Sequence, residues 1–185
     1  MPATRVVVNI PDQAVYDVRI GTGILDGLGS YLRNKVAATA QASTALVITD
    51  SNVAPLYLPR VKQSLKAAGF RSYDISVPAG ETSKNIEIVS EIWEAMAHLK
   101  LERDCVVVAL GGGVIGDMAG FVAATYMRGV QFVQVPTTLL SMVDASVGGK
   151  TGIDLPAGKN LVGAFKQPAY VCADTEVLAT LDERQ

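Results

Sequence analysis

The stretch CVVVALGGGVIGDMAGF, residues 105–121, passes from an uninterrupted apolar run through three glycines into a helix-like pattern. A continuous β-branched run without polar alternation is what a strand buried on both faces requires. Glycines directly after such a strand allow a tight turn, and the free amides at the start of the next helix favour an anion. Gly111, Gly113 and Gly116 match the G-x-G-x-x-G pattern, with Gly112 and Gly113 at the turn itself. The acidic residue that usually follows about 20 positions later is missing, because that region reads GVQFVQV. Asp50 and Asn52, in ITDSN after an earlier apolar run, are better candidates for a ribose contact. The carboxyl ends of parallel strands share one crevice, where Asp50, the glycine turn and Thr137–Thr138 can converge. Helix capping after Pro136 accounts for the two threonines equally well.

The same strand-then-helix alternation extends to both sides of this stretch. RVVVNI (5–10) and VYDVRI (15–20) read as an opening pair of strands joined by PDQA, and ILDGLGSYL as a short amphipathic helix. ALVIT (45–49) leads to a helix near 55–68 closed by Gly69, and RSYDISV leads through PAGETS to a helix over about 84–100. CVVVAL leads into a helix from about 114, and VQFVQV leads through PTT into a helix over LLSMVDAS. The pattern predicts an α/β fold: a Rossmann-like, mainly parallel sheet flanked by helices, preceded by a β-hairpin. In the long helix, Ile86, Val89, Trp93 and Met96 form the expected apolar stripe, opposite Glu87, Glu91, Glu94 and His98. The one histidine of the chain is thereby placed in solvent.

With 16 Lys+Arg against 18 Asp+Glu in 185 residues, no basic face is available for nucleic acid. No segment approaches the roughly 20 continuous apolar residues of a membrane helix. MPATRVVVNI lacks the layout of a signal peptide. Cys105 and Cys172, each in an apolar run, read as buried free thiols, which suits a reducing cytoplasm. One histidine and no cysteine pair at ligand spacing leave neither a zinc site nor a Ser-His-Asp triad.

DASVGGKTG, residues 144–152, ends like a Walker A loop, but Asp144 stands where the first glycine belongs. A carboxylate there would repel phosphates, and the preceding LLSMV is helix-like where a strand should feed the loop. Asp144 and Lys150, then Lys159 and Asn160, lie in a segment rich in glycine. Carboxylate, ammonium and amide groups on a frame of such low bulk suit a small, polyhydroxylated, anionic ligand.

GGGVIGDMAGFVAATYMRG, VPTTLLSMVDASVGGKTGID and GKNLVGAFKQP together closely resemble the 3-dehydroquinate synthase family, from about Val47 onward. Glycerol dehydrogenases and iron-dependent alcohol dehydrogenases are similar in the glycine triplet and Pro-Thr-Thr, but lack DASVGGKTGID. The resemblance implies an N-terminal NAD domain followed by a helical domain that carries a divalent metal, zinc or cobalt. It also implies a homodimer and a sugar-phosphate substrate, 3-deoxy-arabino-heptulosonate 7-phosphate. The reaction so implied is transient oxidation of a secondary alcohol by NAD, loss of phosphate, reduction, and aldol closure.

Carried over by motif, the resemblance sets Asp50 and Asn52 at the adenosine end of NAD, with Glu81 and Lys84 beside them. Gly112 and Gly113 would hold the pyrophosphate, with Asp117, Thr137, Thr138 and Lys159 also near the cofactor. Asp144 would stand by the nicotinamide and substrate hydroxyls, and Lys150 and Asn160 would hold the substrate. Arg128 would reach across a dimer interface into the neighbouring site. Asp117 can equally be read as favouring its helix N-terminus. The family's metal ligands, one Glu and two His, lie beyond the segment matched here by TLDERQ, where Asp182 replaces a usual proline. The expectation is the NAD-binding half of the enzyme, residues 1–185, without its metal-binding domain and inactive alone. A related sugar-phosphate cyclase and a non-catalytic NAD-binding or dimerisation module are the alternatives.

Overall fold

A computed structural model describes residues 3–11 and 14–182. The first two strands are β1 (Thr4–Ile10) and β2 (Ala14–Gly21), paired antiparallel, with Asp12 and Gln13 of the expected PDQA connection outside the described residues. The short helix splits in two, a 3-10 turn over Ile24–Gly27 and α1 (Leu28–Asn34). There follow β3 (Thr44–Asp50), α2 (Ala54–Ala67), β4 (Arg71–Val77), α3 (Ile86–His98), β5 (Val106–Gly111), α4 (Gly113–Thr125) and β6 (Gln131–Pro136). The chain closes with the hairpin β7 (Lys150–Leu155) and β8 (Gly158–Phe165), and with β9 (Tyr170–Asp174).

Seven strands form one sheet in the order β1-β2-β9-β6-β5-β3-β4, parallel everywhere except the β1–β2 edge pair. β3, β5, β6 and β9 are almost wholly buried; alternate side chains of the first three enter two separate cores, while Val171 of β9 packs with Tyr16 and Val18 in a third, smaller one. Val47, Val106 and Val108 pack with Leu28, Leu32, Val61 and Leu65 of α1 and α2. Leu46, Ile48 and Val107 pack on the opposite face with Val89, Ile92 and Met96 of α3 and Met118 of α4. Each such fully buried aliphatic side chain contributes about 1.5–3 kcal/mol. Among the described residues, no helix is long and apolar enough to cross a membrane.

The structure corrects the reading in four places. The buried stripe of α3 is Val89, Ile92 and Met96, while Ile86 is 39% exposed and Trp93 only partly covered. Both sets satisfy helical spacing, and contact with the sheet selects the one rotated by a residue. The helix also begins later than expected, because the Asn85 side chain caps it by accepting the Ile88 amide. Lys84 therefore precedes the helix. Finally, β9 and the β7–β8 hairpin are strands to which the sequence reading assigned no element.

Candidate active site

Two clefts lie at the carboxyl end of the sheet. The first, of about 480 Å³, is lined by Asp50, Asn52, Gly112, Gly113, Thr137 and Thr138, with Pro78–Gly80 along one wall. The strand ends thus bring the crevice residues expected from sequence together. The Asp50 carboxylate accepts the amides of Asn52 and Val53 at 2.9 and 3.0 Å, so it also fixes the turn into α2. Thr138 and Ser141 exchange side-chain and backbone hydrogen bonds, which makes Thr138 a cap of the helix that follows as well as a wall of the crevice. Gly112 caps α4, and a Cβ there would stand 3.3 Å from the Thr138 methyl group. The crevice floor is therefore bare backbone at a helix N-terminus, and the first amides of α4 have no partner within their own helix. That donor set fits a pyrophosphate.

The second cleft, of about 630 Å³, is lined by Asp117, Asp144, Lys150, Asn160 and Gln167 on walls of Gly148, Gly149, Gly152 and Gly163. It adjoins the crevice: a Cβ on Gly113 would meet that of Ala145, a cavity residue, at 3.6 Å. Asp144 stands in a π-helical turn over Ser141–Ala145, and Lys150 opens β7. Both are exposed, and neither charge is paired among the described residues. A Gly163 Cβ would lie 2.2 Å from the Thr151 carbonyl oxygen, so this hairpin closes only around glycine.

Lys84 is the largest departure from expectation at the site. In place of a position beside Asp50 and Asn52, its buried ammonium joins Asp117 Oδ2 to Asn160 Oδ1, both at 2.6 Å. The side chain is 4% exposed, whereas Asp117 keeps 26% exposure. The fifth residue of α4, Asp117 thus serves as a counter-ion. Because an ammonium only donates, the Asn160 oxygen is committed to it and the amide NH2 is left as a donor for the cavity. Glu81 and Lys159 form an exposed pair at 3.6 Å. Arg128 lines neither cleft and sits exposed, with left-handed backbone at φ 66 beside Met127 at φ 49.

Two contributors escape the sequence reading. Asp154 accepts the Asn160 amide at 2.7 Å and donates its own N–H to the Lys84 carbonyl at 2.8 Å. Tyr16, on β2, accepts the Gly148 amide at 3.0 Å and so anchors the glycine loop. Tyr16 belongs to no motif and Asp154 only ends DASVGGKTGID, and each meets a partner, Gly148 for Tyr16 and Lys84 for Asp154, that the fold alone brings close. Among the described residues, no group of three or more His, Cys, Asp or Glu is placed to hold a metal ion. Cys105 and Cys172 are both buried free thiols.

Residues 74–185 match the sequence model of the family described as 3-dehydroquinate synthase N-terminal. A 3-dehydroquinate synthase of Rhizobium rhizogenes is 50% identical over 184 residues, covering 100% of this chain and 48% of the relative. The chain spans about half the length of the curated relatives it matches. A solved 2-deoxy-scyllo-inosose synthase, complexed with carbaglucose-6-phosphate, NAD+ and Co2+, is similar at a TM-score of 0.89 and 27% identity, over 98% of this chain and 49% of that one. A 2-epi-5-epi-valiolone synthase from Streptomyces hygroscopicus, with NAD+ and Zn2+ bound, is similar at a TM-score of 0.78 and 31% identity, over 96% and 48%. Matched by the model over more than half its length and half identical to a named relative from end to end, the chain belongs to the 3-dehydroquinate synthase N-terminal family.

Proposed function

We propose that residues 1–185 are the NAD-binding half of a 3-dehydroquinate synthase, a carbon–oxygen lyase. The full enzyme would convert 3-deoxy-arabino-heptulosonate 7-phosphate to 3-dehydroquinate and phosphate. The observation that carries the reading is the unpaired Asp144 and Lys150 in a glycine-walled cavity that adjoins a backbone-lined crevice. Bound NAD supplies a reversible hydride acceptor. The backbone at Gly112–Gly113 holds its pyrophosphate, and Asp50 and Asn52 take a ribose. In the cavity, the Lys150 ammonium meets the anionic groups of the sugar phosphate. Asp144 accepts from its hydroxyls, and the Asn160 NH2 donates to an oxygen. Lys84 adds a fixed positive charge beside them, held in one place by Asp117.

Several observations support the reading of a half. Val147 and Phe165, 43% and 87% exposed, line the cavity with apolar surface of the kind a second domain covers. Among the described residues no group fits the metal, zinc or cobalt, and the proposal places its ligands in that second domain. Arg128, outside both clefts of its own chain, suits the reach into a partner's site in a homodimer. The chain would act in the cytoplasm on a small molecule, not on nucleic acid or membrane. Identity of 50% to a 3-dehydroquinate synthase, against 27% and 31% to the other two cyclases, favours this substrate over theirs.

Calorimetric titration of NAD into the chain tests the cofactor reading, and binding weaker than in the intact enzyme is expected. Absence of any heat at millimolar NAD would sink that reading, and turnover by the 185-residue chain alone would sink the reading of a half. In the intact enzyme, Lys150→Ala is expected to raise KM for the sugar phosphate about a hundredfold, with NAD affinity within about threefold of the original. Collapse of NAD binding instead would show that Lys150 belongs to the cofactor.

A further inference from the structure

The β7–β8 ladder pairs Lys150 with Phe165 through Ile153 with Val162, then shifts register before Leu155 and Gly158. Asp154 falls at that shift and has no partner across the ladder. A bulge re-aims the residue it releases. Here the Asp154 N–H turns out of the hairpin to the Lys84 carbonyl, while its carboxylate crosses to the Asn160 amide on β8. The residue held in this way carries the one left-handed non-glycine backbone of the hairpin, Asn160 at φ 55. L residues occupy that region when their surroundings hold them there, asparagine more readily than most. With the backbone fixed, the Asn160 carboxamide oxygen reaches the Lys84 ammonium. Asp154 therefore closes a ring: it grips the main chain of both residues whose side chains meet.

We propose that Asp154 is a positioning residue of the substrate cavity, holding Asn160 in its left-handed conformation so that the carboxamide NH2 faces an anionic, polyhydroxylated ligand. Asp154 lines neither cleft, so it acts through Asn160 and Lys84. This deepens the function proposed above and rests on it.

The test uses the intact enzyme and the sugar phosphate. Asp154→Ala is expected to raise KM about tenfold while the NAD dissociation constant stays put, and Asp154→Asn, which keeps an oxygen acceptor in place, stays within about threefold. Asp154→Glu displaces the acceptor by a methylene and raises KM in the same direction, so the test survives if the alanine variant does not fold. Added to Asn160→Ala, Asp154→Ala leaves KM where the single variant put it. Hydrogen exchange at the Asn160 amide, read by NMR, reports the contact apart from turnover: slow in the wild type and Asp154→Asn, fast in Asp154→Ala. Unchanged KM in both Asp154→Ala and Asp154→Glu, or full additivity with Asn160→Ala, overturns the proposal. Lost amide protection in a protein that never turns over the sugar phosphate upholds the contact and overturns the cyclase reading instead.

Discussion

The crevice over β3, β5 and β6 is walled by main chain at strand ends and a helix start, whereas the neighbouring cavity is walled by charged side chains on a glycine frame. Main-chain donors at Gly112 and Gly113 are aimed by the sheet itself, which is buried on both faces. The cavity's polar groups have no such foundation. Lys84 reaches it from a loop, Asn160 from a hairpin outside the main sheet, and Asp117 from a helix flank. The lesson is that a group common to many enzymes can be held by a fold, while one particular substrate needs side chains that other side chains hold.

The comparison breaks most sharply at Gly163. A valine there would drive its Cβ onto the Thr151 carbonyl, and opening the hairpin should cost about 3 kcal/mol in urea denaturation. NAD affinity should survive within about threefold, because the crevice shares no strand with the hairpin. Joint loss of hairpin and NAD binding would mean that the two clefts are one cooperative unit.

A smaller effect separates sheet from hairpin by pH. Burial pushes the Cys105 thiol from its ordinary 9.0 up to about 11, and the Cys172 thiol up to about 12. In the folded sheet both keep protons that an exposed thiol has already lost. Their contribution is whole below about pH 9, declines as pH climbs toward 11 and 12, and amounts to about 2–3 kcal/mol for Cys105 alone. Urea midpoints measured from pH 8 to 11 should fall, and Cys105→Ala should flatten part of the slope. A flat profile in the wild type would refute the burial argument.

The smallest effect concerns Lys159, 70% exposed in its pair with Glu81. Lys159→Ala should change stability by less than about 0.5 kcal/mol. If Lys159 touches NAD, the same variant weakens cofactor binding in low salt and much less in high salt. Equal loss at both salt concentrations would assign it a packing role.

How far the sequence carries differs between the clefts for the same physical reason. Continuous apolar runs ending in glycine or Asp-x-Asn announce β3 and β5 and the crevice above them, because burial and turn chemistry are local. Local spacing cannot decide between Ile92 and Trp93 as the inward residue of α3, since both satisfy the helical period. YVCAD is too short to announce β9, whose place between β2 and β6 is fixed by pairing with distant strands. Likewise Lys84 lies next to Asp50 in no contact and 33 residues from its counter-ion, a distance only the fold can close. The bulge at Asp154 leaves no mark on composition at all.

The hydrogen bond from the Gly148 amide to Tyr16 spans 132 positions, and it sets an order on assembly during synthesis. β2 enters the main sheet through β9, so Tyr16 reaches its place only after residues 170–174 have emerged from the ribosome. The strands that carry the crevice are complete by Pro136. A growing chain thus has the strand ends and helix start of the crevice before its glycine loop is anchored, and the wall at Thr180 and Leu181 is added last.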